Sequence, residues 1–211
     1  MSAATIGLRS LTACTLAALV LAACATAPSD EQVAAEAVAM MKTSFKARGQ
    51  AGLDRLDQDE TQRQCSLYAG KTLPKDVAAK IEAANLATIR YPGDGKLTGD
   101  WRKGEKIAQE GRGKQWSDDP AAAAGANCYA CHRLSGTELS YGTIGPSLYQ
   151  FGKRRGNTAE TQKYVYGKIF NAEAFAACTN MPRFGHKGIL TEQQIRDVVA
   201  LLVDPDSPVN R

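Results

Sequence analysis

The pentapeptide Cys128-Tyr129-Ala130-Cys131-His132 constrains this chain more than any other feature. Two cysteines three positions apart at the start of a helix face the same way and reach the two vinyl groups of one haem. The histidine that follows lies beneath the iron and supplies the proximal imidazole. The motif therefore predicts one covalently bound haem c, with Cys128 and Cys131 as its anchors and His132 as an iron ligand.

Two other uses of a Cys-x-x-Cys pair stay open at this point: a zinc knuckle and a redox-active dithiol. Zinc needs two further ligands at knuckle spacing, and the only other histidine, His186, lies far away in a Gly-flanked loop. A thioredoxin-like dithiol follows a buried apolar strand, whereas residues 121–127 are small and loop-like. The pattern favours haem over a haem-free binding module.

The N-terminus indicates export. Residues 11–23 form an apolar stretch that is too short to span a bilayer, and they end in Leu-Ala-Ala before Cys24. This ending resembles a lipobox, so residues 1–23 are predicted to be a lipoprotein signal peptide and Cys24 the lipidated first residue. Cleavage after Ala25 or Ala27 remains an alternative. The predicted location is the periplasm, where one lipidated residue tethers the protein to a membrane surface.

Export also makes the cysteine count interpretable. Of the six cysteines, Cys14 leaves with the signal peptide, Cys24 is lipidated or removed, and haem takes two. Cys65 and Cys178 remain in an oxidising compartment, which predicts a disulfide between them. Two free thiols, or a Cys178 that acts near the iron, are the alternatives.

Helix signals predict an all-α chain. Asp100 can cap a helix over residues 101–109, and Gly104 within it permits a close helix crossing. Thr191 opens a capping box for a last helix that stops at Asp204. A first helix that crosses the last one is typical of the class I cytochrome c fold.

Helical spacing upstream predicts an extension in front of this domain. The interpretation divides the chain into a helical N-terminal extension (24–96), a cytochrome c domain (97–205) and a tail (206–211). Helices are expected at 28–44, around 65–69, at 74–89 and at 158–177.

The remaining haem contacts follow from two loops. A Gly-Pro-Ser-Leu sequence resembles the cytochrome loop in which the proline carbonyl orients the proximal histidine, so Pro146 would orient His132 and Leu148 would pack on the haem. Met181, followed by proline in a Gly-rich loop, is the predicted sixth iron ligand. Histidine and methionine together leave no open position at the iron, which predicts electron transfer rather than ligand binding.

Three motifs in combination, Gly125–His132, Tyr141–Leu148 and Asn180–Gly185, resemble SoxX. That family is the monohaem cytochrome c subunit of the SoxAX complex of sulfur-oxidising bacteria. The similarity covers about Cys65 to Val203 and fits the longer SoxX type with a helical extension.

The resemblance implies a role in thiosulfate oxidation. A SoxA-type cytochrome would form the heterodimer and hold the catalytic site of this L-cysteine S-thiosulfotransferase, so no catalytic residue is expected in this chain. The complex would join thiosulfate to a cysteine of the carrier SoxYZ, and this chain would pass the electrons to a small acceptor cytochrome. The alternative is a generic periplasmic monohaem electron-transfer cytochrome c.

The charge of the chain gives only limited information about its partners. The net charge is +4, and basic residues are spread along the chain without a tract, which argues against nucleic acid as a partner. A positive rim around the haem edge is one interpretation of five basic residues, and ordinary solvated side chains are the other. They are Lys153, Arg154, Arg155, Arg183 and Lys187.

Overall fold

The computed structural model describes residues 27–211, so the predicted signal peptide and Cys24 lie outside the described residues. Within that range the chain is helical, and its one extended pairing is an isolated bridge between Arg48 and Ala51. The all-α prediction is confirmed. The α-helices are α1 Asp30–Ser44, α2 Glu60–Leu67, α3 Lys75–Leu86, α4 Trp101–Gln109, α5 Phe151–Arg155, α6 Ala159–Phe170 and α7 Glu192–Val203; 3-10 helices cover Leu53–Leu56, Cys128–Ala130 and Ala172–Ala174.

The chain divides into two compact units at Lys46 and Ala47. The described part of the first unit contains α1, which begins at a capping box between Ser29 and Gln32. None of its side chains is buried, and Met40 is 62% exposed. No helix in residues 27–211 is both long and apolar enough to cross a bilayer.

The second unit is built on the crossing of α4 with α7. Asp100 caps α4 by accepting a hydrogen bond from the Arg102 N–H, as the sequence predicts. Thr191 and Gln194 form the predicted capping box of α7. Because the apolar residues of α7 recur at helical spacing, a continuous face of that helix is buried: Ile195, Val198, Val199 and Leu202.

Gly104 sets how closely these two helices approach. It is buried, and a Cβ built on it would overlap the backbone carbonyl of Asp197 and come within 3.1 Å of the Leu201 Cβ. The Asp197 carboxylate accepts a hydrogen bond from the Asp100 N–H at 2.9 Å, which fixes the start of α4 on α7. The predicted close crossing at Gly104 is confirmed.

Two predicted helices are too long. The one expected at 74–89 ends at Leu86, and the one expected at 158–177 ends at Phe170. For the second helix the physical reason is Asn171, whose extended backbone stops α6 and whose buried side chain donates to the Asn85 Oδ1 at 2.9 Å. A buried amide needs such partners, and this pair ties the end of α6 to α3.

The C-terminal residues predicted as a tail are packed into the second unit. Val209 is fully buried, and its carbonyl accepts a hydrogen bond from the Gln150 N–H at 2.8 Å. The Asn210 side chain accepts from the Lys153 N–H and donates to the carbonyls of Leu202 and Asp204. These bonds hold α5 against the end of α7.

The predicted disulfide is present. Cys65 of α2 and Cys178 are bonded, with their Cα atoms 5.3 Å apart. The bridge closes a loop of 113 residues. In the chain-entropy account a loop of that size corresponds to about 4–5 kcal/mol of unfolded-state restriction. It fastens part of the predicted extension to the predicted haem domain.

Candidate haem-binding site

The Cys-x-x-Cys-His segment forms a single 3-10 turn, Cys128–Ala130. It begins at Asn127, whose backbone is left-handed with φ 46°, and the Cys128 carbonyl accepts hydrogen bonds from the N–H groups of Cys131 and His132. The two cysteines therefore open a single 3-10 turn, which is shorter than the helix that the sequence predicts.

A second segment explains why no helix follows. The N–H groups of Gly142, Gly145 and Leu148 donate to the carbonyls of Tyr129, Cys131 and Arg133, at 2.8–2.9 Å. Those carbonyls are the ones that a continuing α-helix would use for its own bonds. The loop over residues 142–148 thus takes the place of helical pairing and lies alongside the motif.

The same loop brings Pro146 next to His132, the predicted proximal ligand. The His132 Nδ1 lies 2.7 Å from the Pro146 carbonyl oxygen. Because a carbonyl can only accept, Nδ1 carries the proton, and in the neutral imidazole Nε2 then has the lone pair that could bind iron. At Gly145 a Cβ would come 2.8 Å from Nε2 and closer to other ring atoms, so the imidazole needs glycine there. The predicted Pro146–His132 hydrogen bond is confirmed.

Cys128 and Cys131 are half-buried and take no part in a disulfide, whereas Cys65 and Cys178 are bonded to each other. Burial raises the pKa of Cys128 to about 12, so its sulfur is a neutral group in apolar surroundings. Neutral sulfur is what a thioether link to a porphyrin also provides. In residues 27–211, no three His, Cys, Asp or Glu side chains gather into a group that could hold a metal ion.

Met181 borders the same apolar core as the motif. The half-buried side chains of Cys128, Leu148 and Met181 all pack against one cluster of buried residues. Met181 is also the only methionine after residue 41. The structure therefore brings the predicted sixth ligand and the predicted haem-packing leucine to the domain core that contains the cysteines, and iron ligation by Met181 stays a prediction.

These residues fit haem c. They comprise two cysteines that could anchor a porphyrin, an imidazole whose Nδ1 is bonded to a carbonyl, and one thioether. The imidazole and the thioether are the iron donors of a histidine–methionine c-type site. Cys128 and Cys131 would hold the group covalently, and His132 and Met181 would fill the axial positions. When bound, haem supplies a centre that gains and loses one electron at a time.

The structure divides the predicted positive rim. Lys153, Arg154 and Arg155 are exposed in the last turn of α5. Arg183, in contrast, is 8% exposed and donates to the Asp59 Oδ2 at 2.6 Å. Lys187 binds the same oxygen, also at 2.6 Å. Both residues thus form ion pairs within the protein, and only the α5 residues remain as freely solvated rim charges.

Two residues near the site carry no signal in the sequence. Asp59 lies more than 120 positions before Arg183, and no local pattern joins them. Arg133 follows the motif directly, and its guanidinium lies 5.3 Å from the Tyr141 ring centre and 5.1 Å from that of Tyr149. Such cation–π contacts depend on how the loops fold over one another, which local periodicity does not show.

Fold and site together define a class I c-type cytochrome. The cytochrome c family matches residues 112–204 of the chain. An uncharacterized lipoprotein from Aquifex aeolicus (strain VF5) is 40% identical over 157 residues, which cover 73% of this chain and 73% of the relative. Residues 112–204 of this chain thus form a cytochrome c domain.

Proposed function

We propose that this protein is a lipid-anchored monohaem cytochrome c that carries electrons for a thiosulfate-oxidising complex of the SoxAX type. The observation that supports the electron-transfer role is the hydrogen bond from His132 Nδ1 to the Pro146 carbonyl, which orients the imidazole and would leave Nε2 to bind the iron. With Met181 as the proposed second ligand, side chains would fill both axial positions. A saturated site suits electron transfer and leaves no position for a substrate.

The sulfur-oxidation role rests on the three motifs that resemble SoxX. In that reaction a carrier cysteine thiol and thiosulfate form a sulfur–sulfur bond, giving a cysteine S-thiosulfonate. The bond formation releases one proton and two electrons, so the sulfur centres are oxidised and c-type haems are reduced. We assign the catalytic site to a SoxA-type partner and the carrier cysteine to SoxYZ. This chain would accept electrons singly and pass them to a small acceptor cytochrome.

The test is thiosulfate-dependent reduction of the purified holoprotein. Mixed with a SoxA-type cytochrome, the SoxYZ carrier and thiosulfate, it should become reduced, and it should co-purify with the SoxA-type protein from detergent extracts of native cells. The matched control replaces the carrier cysteine by serine, which should abolish reduction. A holoprotein that neither binds a SoxA-type partner nor becomes reduced by this mixture would contradict the sulfur role.

A general electron carrier is the second candidate. It is supported by the match of residues 112–204 to the cytochrome c family, which implies electron transfer through haem but no particular partner. Reversible one-electron reduction of the holoprotein by small redox mediators, together with no response to the thiosulfate mixture, would support this candidate over the SoxAX role.

We also propose a membrane anchor at Cys24. The support is the lipobox and the lipoprotein relative. Replacing Cys24 with serine should move the haem protein from the membrane fraction to the soluble periplasm, because one diacylglyceryl and one acyl chain supply the membrane affinity. Fractionation with haem staining measures the change, and Cys14→Ser is the control that should leave the distribution unchanged. A native protein with no lipid mass on its N-terminal peptide would contradict the anchor.

A further inference from the structure

The segment that contains Met181 is attached to α2 at two places. We call residues 178–183 the methionine loop. On one side of Met181, Cys178 is bonded to Cys65 of α2. On the other side, Arg183 forms an ion pair with Asp59, the N-cap of α2. We call these two attachments together the α2 clamp.

Asp59 is fully engaged by the clamp. Its Oδ1 accepts the Gln62 N–H at 3.0 Å in the capping box, and its Oδ2 accepts from Arg183 and from Lys187 at 2.6 Å each. Burial alone would raise the pKa of Asp59, but the hydrogen bonds from Lys187, the Gln62 backbone and Arg183 hold it well below its usual value. The carboxylate is therefore charged throughout the physiological range.

The two attachments lie on one rigid element. Asp59 and Cys65 are six positions apart on α2, which corresponds to about 9 Å along the helix axis. The capping box holds the first turn of α2, and a hydrogen bond from the Asn85 side chain to Thr61 ties the helix to α3. A short loop whose two ends are fixed to one helix loses most of its freedom to move away from the core.

The methionine loop depends on these outside contacts. The Cys178 N–H donates to the Glu173 carboxylate at 2.6 Å, and the Met181 N–H makes a long bond of 3.4 Å to the Thr179 hydroxyl. After Met181 the next backbone bonds are at Arg183, whose carbonyl accepts from the Lys187 N–H at 2.9 Å, and at Gly185, whose N–H donates to the Phe170 carbonyl at 3.0 Å. Between these points the disulfide and the Asp59–Arg183 pair hold the loop from both sides of Met181.

We propose that the α2 clamp keeps Met181 on the haem iron, so that Asp59 and Cys65 are positioning residues for the axial methionine. The inference rests on the proposed ligation by Met181. An iron–thioether bond is weak, and it competes with external ligands whenever the loop opens. A clamp that makes opening rare lengthens the life of the bond, without itself touching the iron.

The test compares two aspartate variants of the holoprotein. Asp59→Asn keeps an N-cap side chain but removes the charge that binds Arg183. The matched control is Asp94→Asn, because Asp94 likewise binds a nearly buried arginine, Arg196 at 12% exposure, but on α7. The measurement is the rate at which imidazole displaces the methionine from ferric protein, followed by the red charge-transfer band of the iron–methionine bond. We expect Asp59→Asn to accelerate exchange about tenfold and Asp94→Asn to stay within about twofold.

A second variant tests the other attachment. The double change Cys65→Ser with Cys178→Ser should also accelerate imidazole exchange about tenfold. In hydrogen exchange, amides of residues 179–184 should exchange faster in both clamp variants, while amides of α7 keep their native rates and serve as the internal control. This readout does not depend on any activity of the protein.

Each outcome decides the proposal. Native exchange rates in both clamp variants would overturn it, and so would an equal acceleration in Asp94→Asn, which would show a loss of general stability instead. If the native ferric protein lacks the methionine charge-transfer band, then the proposed ligation itself fails and the clamp fails with it. If the methionine charge-transfer band is normal but imidazole exchange is unchanged in the clamp variants, then the clamp proposal fails while the ligation by Met181 stands.

Discussion

Replacing Met181 with alanine should lower the reduction potential of the holoprotein by more than about 60 mV, a tenfold change in a one-electron equilibrium. The reason is that a soft thioether stabilises ferrous iron more than ferric iron, and the variant loses that preference. The empty position should also bind imidazole or cyanide without prior displacement of a side chain. Redox titration and ligand titration followed by absorbance measure the two effects.

Two controls isolate the ligand. Met40→Ala removes a thioether from α1, where the side chain is 62% exposed, and should leave the potential unchanged. His186→Gln removes the only histidine other than His132. If His186→Gln abolished the native spectrum while Met181→Ala preserved it, then the axial assignment would be wrong and the site would be a bis-histidine centre.

Much of this site could be predicted because its signals are local. The Cys-x-x-Cys-His spacing predicts the two cysteines that anchor the haem and the histidine that binds the iron. The proline of the Gly-Pro loop predicts which carbonyl orients that histidine. The helix ends at Asp100 and Thr191 follow from capping chemistry, which acts within three residues. The structure shows the Pro146 carbonyl beside His132 and both helix caps where these signals predict them, because no distant contact opposes them.

Other features could not be predicted because distant residues decide them. The Cys-x-x-Cys-His motif forms only one helical turn, because the loop over residues 142–148 donates hydrogen bonds to the carbonyls that a longer helix would use. Helix α6 ends early because the buried Asn171 side chain bonds to Asn85, which lies 86 positions away. From sequence alone Arg183 belongs to a group of surface charges. In the structure its side chain is buried and forms an ion pair with Asp59. Periodicity and charge counts contain none of this pairing information.

Substitutions of Gly104, where α4 crosses α7, should have a large effect on the free energy of unfolding. Gly104 lies against the Asp197 backbone carbonyl, and that carbonyl belongs to the buried helix α7 and cannot rotate away as a side chain would. Alanine favours a helix over glycine by about 1 kcal/mol, but overlap with a fixed backbone costs about 1–3 kcal/mol or more. The overlap should therefore dominate, and valine should be worse than alanine because it adds two methyl groups at the same point.

We expect Gly104→Ala to lower the free energy of unfolding by about 1–2 kcal/mol and Gly104→Val by more than about 3 kcal/mol. Urea denaturation of the holoprotein, followed by helical circular dichroism, measures both. Gly93→Ala is the matched control, because a Cβ at Gly93 meets no atom within 4 Å, and it should change stability by less than about 0.5 kcal/mol. Equal stabilities for Gly104→Ala and Gly93→Ala would mean that α4 can shift on α7 at little cost. The stability of the domain would then come from its cofactor and its disulfide, and the close contact at Gly104 would contribute nothing to the free energy of unfolding.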